Sequence, residues 1–276
     1  MDPVSITASA IAFAGLVVTS VQAAYKAIDG LAEAPQAIVN AKTLLAGTQD
    51  SLNTLTSTLT ATRDTQAKFG SVLRLIDLGK TLKSTEELCN KFKSKITEYT
   101  KHSTDSRFSN RDKITVHIHE SEITRFNNQL RGCQTTISLV IETVTLIVTG
   151  SISDDVGDLS TRFQAQEQAL SALVTDLAER STALKAMGDA IEDKQASLER
   201  FATLQHTCEA TRKATQAQRT GQTFGDLQID QSHAMQGIVG EAQKDVDQSF
   251  GRLTAQNNSK AFQGQMDAAS FARMFG

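Results

Sequence analysis

From Ile123 to Ile147 apolar side chains return every three or four residues: Ile123, Phe126, Leu130, Cys133, Ile137, Val140, Val144 and Ile147. That spacing lines one face of an α-helix. The run SLVIETVTLIV inside it is rich in β-branched residues and would suit a strand by propensity. The unbroken period from Ile123 decides for a helix, ending near Gly150, a natural C-cap. Upstream, a break at Ala34-Pro35 is followed by Ile38, Leu44, Leu45, Leu52, Leu55 and Leu59 at helical spacing. A further helix is predicted over Val72, Leu75, Ile76, Leu82, Leu88, Phe92 and Ile96. The segment TKHSTDSRFSNRDK, Thr100 to Lys113, is polar and rich in Ser, Asp and Asn, which predicts a loop.

The first 25 residues, MDPVSITASAIAFAGLVVTSVQAAY, carry no charge between Asp2 and Lys26. A secretory signal calls for a basic start, where this chain has Asp2. A membrane span calls for about 20 strongly apolar residues, and here Thr7, Ser9, Gly15, Thr19, Ser20 and Gln22 interrupt the run. A helix starting near Ser5, apolar almost all round and buried in a bundle, fits best. These four segments with short connections predict an antiparallel helical bundle over residues 1–150.

Residues 151–220 carry the most regular pattern. Alternating steps of three and four from Val156 to Cys208 meet twelve apolar residues among sixteen. Leu159, Phe163, Leu170, Leu173, Leu177, Leu184, Met187, Ile191, Leu198 and Phe201 form the seam, with polar Gln166, Arg180, Lys194 and Gln205 on it. This predicts one coiled-coil-like helix roughly 80 Å long. A lone stripe of that length must lie along the bundle or against a second copy, so a homo-oligomer is the expected state.

Residues 221–276 contain an internal echo. QTFGDLQIDQSHAMQGIVG (222–240) and QSFGRLTAQNNSKAFQGQMD (248–267) coincide at seven positions once one residue is inserted in the second copy. The pairs include Phe224/Phe250, Gly225/Gly251, Leu227/Leu253 and Gly237/Gly264. A duplicated β unit is predicted, with the Phe and Leu pairs in contact and the glycines permitting turns. The arrangements left open are rungs that stack copy on copy, two loosely related hairpins docked on the bundle, or a partly disordered tail. The fold class expected for the whole chain is therefore mainly α: an N-terminal bundle, a long coiled-coil-like helix and a small β-containing C-terminal region.

Composition narrows the function. At 276 residues with 39% hydrophobic side chains, the chain has enough apolar material for a core. A net charge of −3 excludes nucleic acid as the expected partner. Between Lys80 and Lys113, nine Lys or Arg face five Asp or Glu, a mild basic patch read first as a solvated face and second as a contact for anionic lipid. Cys89, Cys133 and Cys208 lie far apart with no paired spacing, so a reducing, cytoplasmic setting is expected without disulfide or zinc. VHIHESE groups His117, His119, Glu120 and Glu122. In an extended segment the two histidines would share a face, but no third ligand has matching spacing, and a polar edge beside the bundle is the reading adopted. With no phosphate-binding glycine loop, nucleophile elbow or HExxH, no enzyme, metal or cofactor is expected.

The start MDPVSITASAIAFAGLVVTSVQAAYKAIDGLAEAPQAI, with HSTDSRFSNRDKITVHIHESEI and LRGCQTTISLVIETVTL, resembles the fungal N-terminal domain named after the azaphilone pigment cluster protein L. That family is similar to the HeLo and HeLo-like helical domains that head fungal NOD-like receptors and cell-death effectors. Where the family usually has Trp, the block SNRDK carries Asn110. The resemblance implies a helical bundle whose N-terminal segment targets membranes, making Ile6, Ile11, Phe13, Leu16, Val17 and Val21 the candidate inserting residues, with recruitment from cytoplasm to anionic membrane lipid. It also implies that the tail pair acts as an amyloid-type signalling repeat, meeting a partner that carries a related repeat. The expected function is a self-assembling, non-enzymatic signalling or cell-death protein of innate immunity. The alternative is a scaffolding homo-oligomer held by the coiled coil and capped by the repeats.

Overall fold

The computed structural model describes residues 2–31, 33–60, 63–103, 108–150, 156–187, 193–220, 222–224, 227–239, 248–250, 252–257 and 259–275. The chain is mainly helical and divides into two compact units, Met1–Ala214 and Thr215–Gly276. Among the described residues eight long or medium helices run in order: α1 (Pro3–Asp29), α2 (Gln36–Leu59), α3 (Arg63–Ile76), α4 (Leu78–Tyr99), α5 (Asn110–Ile118), α6 (Glu120–Gly150), α7 (Val156–Ala186) and α8 (Lys194–Thr220).

Local chemistry sets these boundaries. Asp2 is extended and Pro3 opens α1, where its fixed φ and missing N–H cost nothing. Pro35 stands one position earlier relative to its helix, as the residue that precedes α2 (φ −56°, ψ 152°). The helix expected to run unbroken through Val72 and Ile96 is two helices, because Asp77 adopts the left-handed conformation (φ 54°, ψ 44°). Its carboxylate lies 2.6 Å from the Lys80 ammonium. The loop expected over Thr100 to Lys113 gives way to helix at Asn110, after extended Ser109. The buried Asp112 carboxylate organises this corner, accepting hydrogen bonds from the His102 amide at 2.9 Å and the Ser103 hydroxyl at 2.6 Å. Asn110, in the position where the family usually has Trp, is exposed, and the neighbouring Phe108 is buried instead.

In the first unit α1 packs against α2, α3 and α4, and α6 against α2, α4 and α7. One contiguous core results, including Val17, Val21, Leu45, Leu52, Ile76, Leu82, Ile96, Leu130 and Ile137. The single helix expected from Val156 to Cys208 is instead α7 and α8, and its stripe belongs to this same core. Phe163, Leu170, Leu173, Leu177, Leu184 and Phe201 are buried, and Leu159 and Leu198 pack against them. Met187 alone among the described seam residues is exposed, at 54%, while Ile191 lies outside the described residues. Gln166, the polar seam residue, donates its amide to the Leu139 carbonyl (2.9 Å) and the Thr143 hydroxyl (3.1 Å) of α6. The physical reason is simple: folding the stripe back on the bundle covers it within one chain, so the seam does not require a second copy.

In the second unit, among the described residues, six strands follow: β1 (Gln222–Phe224), β2 (Leu227–Asp230), β3 (His233–Val239), β4 (Gln248–Phe250), β5 (Leu253–Gln256) and β6 (Lys260–Met266), then helix α9 (Ala268–Phe275). The pairing is β1 with β4, β2 with β5 and β3 with β6, all parallel. Each strand of the first repeat thus lies on its counterpart in the second. Helix α9, which the sequence pattern did not reveal, packs on β3 and β6. Asp267 caps its start through the Ser270 amide (2.9 Å), and the Lys260 ammonium binds the Met274 carbonyl near its end (2.9 Å).

The start of α1 depends on one close approach. The Thr7 hydroxyl donates to the Gln66 carbonyl of α3 at 2.7 Å, and a Cβ added at Gly70 would lie 1.8 Å from the Pro3 carbonyl oxygen. Gly70→Ala is therefore expected to push the first turn of α1 off α3 and destabilise the first unit by roughly 1–3 kcal/mol. Denaturant unfolding checks this, and an unchanged midpoint would contradict it.

Candidate functional site

Three surfaces carry distinctive chemistry. The first is a cleft of about 80 Å³ in the first unit, between α4, α6 and the start of α8. Phe92 and Phe126 stack along it with ring centroids 3.8 Å apart. At its edge Glu122 gathers three donors: the Lys95 ammonium at 2.8 Å, the Tyr99 hydroxyl at 3.0 Å and the His119 ring nitrogen at 3.1 Å. His119 also stacks on Tyr99, with centroids 4.2 Å apart. Asp193 pairs with Lys91 and lies 3.9 Å from Lys95.

This arrangement revises the reading of VHIHESE. The segment is the end of α5 and the start of α6, so His117 and His119 do not share an extended face. Each instead meets a carboxylate three residues on, His117 with Glu120 at 3.3 Å and His119 with Glu122 at 3.1 Å. The basic stretch is likewise largely committed, since Lys80, Lys83, Lys91, Lys95 and Lys113 all form ion pairs. Burial pushes the Cys89 and Cys133 thiols above their ordinary range and Cys208 up to about 11, leaving all three as unreactive core residues.

The second surface is α1. The sequence predicts burial all round, yet α1 buries one face only: Thr7, Ala14, Val17, Ser20, Val21, Ala24 and Ile28. Of the six candidate inserting residues, Val17 and Val21 lie in the core, Ile6 and Ile11 pack against it half-buried, and Phe13 and Leu16 are exposed at 44% and 55%. Ala8, Ser9, Ala12, Gly15 and Thr19 continue this exposed face without a charge. By length and composition α1 and α6 are both apolar enough to cross a membrane. Of the most apolar stretch of α1 only 28% is buried, against 61% for α6.

The third surface is the pair of stacked repeats. The register sets Gln222 opposite Gln248, Phe224 opposite Phe250, Leu227 opposite Leu253, Gln236 opposite Gln263 and Gly237 opposite Gly264. The side chains ladder as well: the Gln263 amide donates to the Gln236 carbonyl oxygen at 2.9 Å, and Asn257 donates to the Asp230 carboxylate at 2.7 Å. Corners match between copies, with Gln231 at φ 50° and Asn257 at φ 52°. Gly237 and Gly264 are not turn residues, contrary to expectation. They sit inside β3 and β6 at φ 137° and 134°, and a Cβ on Gly237 would lie 1.8 Å from the Gly264 carbonyl oxygen. Gly225 and Gly251 lie outside the described residues. The repeat pattern did not single out Ile229, which is buried where β2 meets Ala255 of β5.

These features define a class: a helical bundle followed by a short two-rung unit of parallel strands. Residues 1–157 match the family described as pigment biosynthesis cluster protein PigL N-terminal, and the chain belongs to that family. No curated protein and no solved structure matches the chain.

The ion cluster makes a pH-dependent contribution. Burial raises the Glu122 carboxyl pKa, but hydrogen bonds from Lys95, His119 and Tyr99 and the Lys95 charge outweigh it, holding the carboxyl at about 2 against an ordinary 4.5. Because the folded value is depressed, the stabilisation is fully present above pH 4.5 and lost as pH falls towards 2. Glu122→Gln is expected to flatten the fall in unfolding temperature across that window. Equal slopes for variant and wild type would contradict the assignment.

Proposed function

We propose that this protein is a non-enzymatic fungal signalling protein of the cell-death type, which self-assembles through its C-terminal repeats and meets anionic membranes through the exposed face of α1. The observation that carries the reading is the parallel, in-register stacking of one repeat on the other. Among the described residues each sheet has only two strands, so each strand pairs along one edge and meets no further strand at its other edge. Two stacked units are fewer than the three or so that repeat architectures need for stability. A second copy adds rungs with the same register, the same glutamine ladder and the same apolar contacts, as in cross-β assemblies. A related repeat at the end of another protein would fit the same edge.

The seam offers little to a scaffold held by a coiled coil, because its described apolar residues other than Met187 are covered inside the first unit. The membrane part of the reading rests on Phe13 and Leu16, large apolar side chains on a helix face without charge.

Deleting residues 222–276 is expected to abolish thioflavin-positive fibres while leaving the helical signal in circular dichroism nearly unchanged. Gly237→Val in the full chain is expected to have the same effect on fibres, because the new side chain would strike the Gly264 backbone. Fibres that persist in both variants would sink the assembly reading. The double variant Phe13→Asp, Leu16→Asp is expected to fold normally and to lose dye release from liposomes containing phosphatidylserine. If wild type, soluble or assembled, neither binds nor permeabilises such liposomes, the membrane role is wrong.

A further inference from the structure

Arg200 on α8 is only 9% exposed. Its Nε–H is shared between the Ser84 hydroxyl (3.1 Å) and the Ser84 carbonyl (3.4 Å) of α4, and an Nη1–H is given to the Gln129 side-chain oxygen of α6. Gln129 in turn donates to the Ser197 hydroxyl at 2.9 Å. These partners are all neutral, and no carboxylate pairs with Arg200 among the described residues. Taking a guanidinium out of water without a counter-charge costs several kcal/mol. The partners also leave donors of the guanidinium unused, since Nη2 makes no hydrogen bond among the described residues and Arg200 borders the cleft beside the stacked Phe92 and Phe126.

Among the described residues lining the cleft, cations outnumber carboxylates. Lys91, Lys95, Arg125 and Arg200 line it against two carboxylates, Glu122 and Asp193, which are already engaged by Lys95 and Lys91. A volume of about 80 Å³ exceeds what one water occupies and admits a group of a few heavy atoms. Arginine's planar fork of N–H groups matches tetrahedral oxyanions and carboxylates.

We propose that this cleft is a binding site for a phosphate group, with Arg200 as its buried anchor and Lys91 at its mouth. The phosphate supplies a counter-charge at the point where α4, α6 and α8 are tied together. Binding therefore favours the state in which α8 is docked on the bundle. The group belongs either to a small soluble phosphate or to a lipid headgroup, and the two sources share this chemistry.

The experiment uses the full chain. Inorganic phosphate is titrated at constant ionic strength against chloride, with the unfolding temperature and calorimetric heat as readouts. Saturable stabilisation is expected in wild type. Losing a charge-assisted contact predicts binding weaker by roughly tenfold or more in Arg200→Gln. Should that variant fail to fold, Lys91→Gln, altered at a half-exposed side chain, decides the matter and is expected to weaken phosphate binding several-fold. Vesicles of phosphatidylcholine with and without phosphatidic acid distinguish the sources. Retention on phosphatidic acid that depends on Arg200 or Lys91 assigns a headgroup, and phosphate binding without it assigns a soluble ligand. Absence of any saturable phosphate or phosphatidic acid effect in wild type overturns the proposal. So does binding that neither substitution weakens.

Discussion

An apolar stripe must be covered and a strand edge must be paired, and the two units of this chain meet those demands to different degrees. In the first unit the stripe running from Leu159 to Phe201 is laid over the bundle by dividing it between α7 and α8. The polar positions on the stripe are accommodated by hydrogen bonds to neighbouring helices, as Gln166 shows with α6. In the second unit, among the described residues, each ladder has two strands, so each strand pairs with its counterpart along one edge. The stripe of the first unit is covered within one chain, whereas each ladder of the second stops at two strands among the described residues.

That contrast organises the functional account. A closed bundle offers faces rather than edges, and its distinctive faces are the uncharged side of α1 and the cation-rich cleft beside Arg200. The repeats offer a template. Their matched corners at Gln231 and Asn257 and the close approach of Gly237 to Gly264 fix one register, since a side chain at Gly237 would break the ladder. In the proposed assembly, a single register is what each added copy would repeat.

Much of this was legible in the chain. Helical periodicity located α2, α6 and most of α4, because amphipathic faces in a bundle repeat at the helical period. The aligned identities of the tail coincide with the strand register, because parallel stacking sets like opposite like. What the pattern hid were places where a single residue or a distant partner decides. Asp77 divides α3 from α4 by adopting a left-handed conformation that a polar residue tolerates. The start of α8 at Lys194 interrupts a heptad pattern that is regular on either side. Arg200 reads as an ordinary charged residue near the seam, and only packing against Ser84 and Gln129 reveals it as buried. Helix α9 is too short for its period to stand out, and its caps come from Asp267 and Lys260, both outside it.

The central claim is that the two repeats of one chain form two successive rungs and that further chains continue the stack. Mass per length of the assembled full-length protein, measured by scanning transmission electron microscopy, tests it directly. With strands about 4.7–4.9 Å apart, two rungs per chain predict one molecule per roughly 9.5 Å of fibril for each protofilament. One molecule per roughly 4.8 Å would mean that each chain contributes a single rung, and would contradict the stacked arrangement of the repeats.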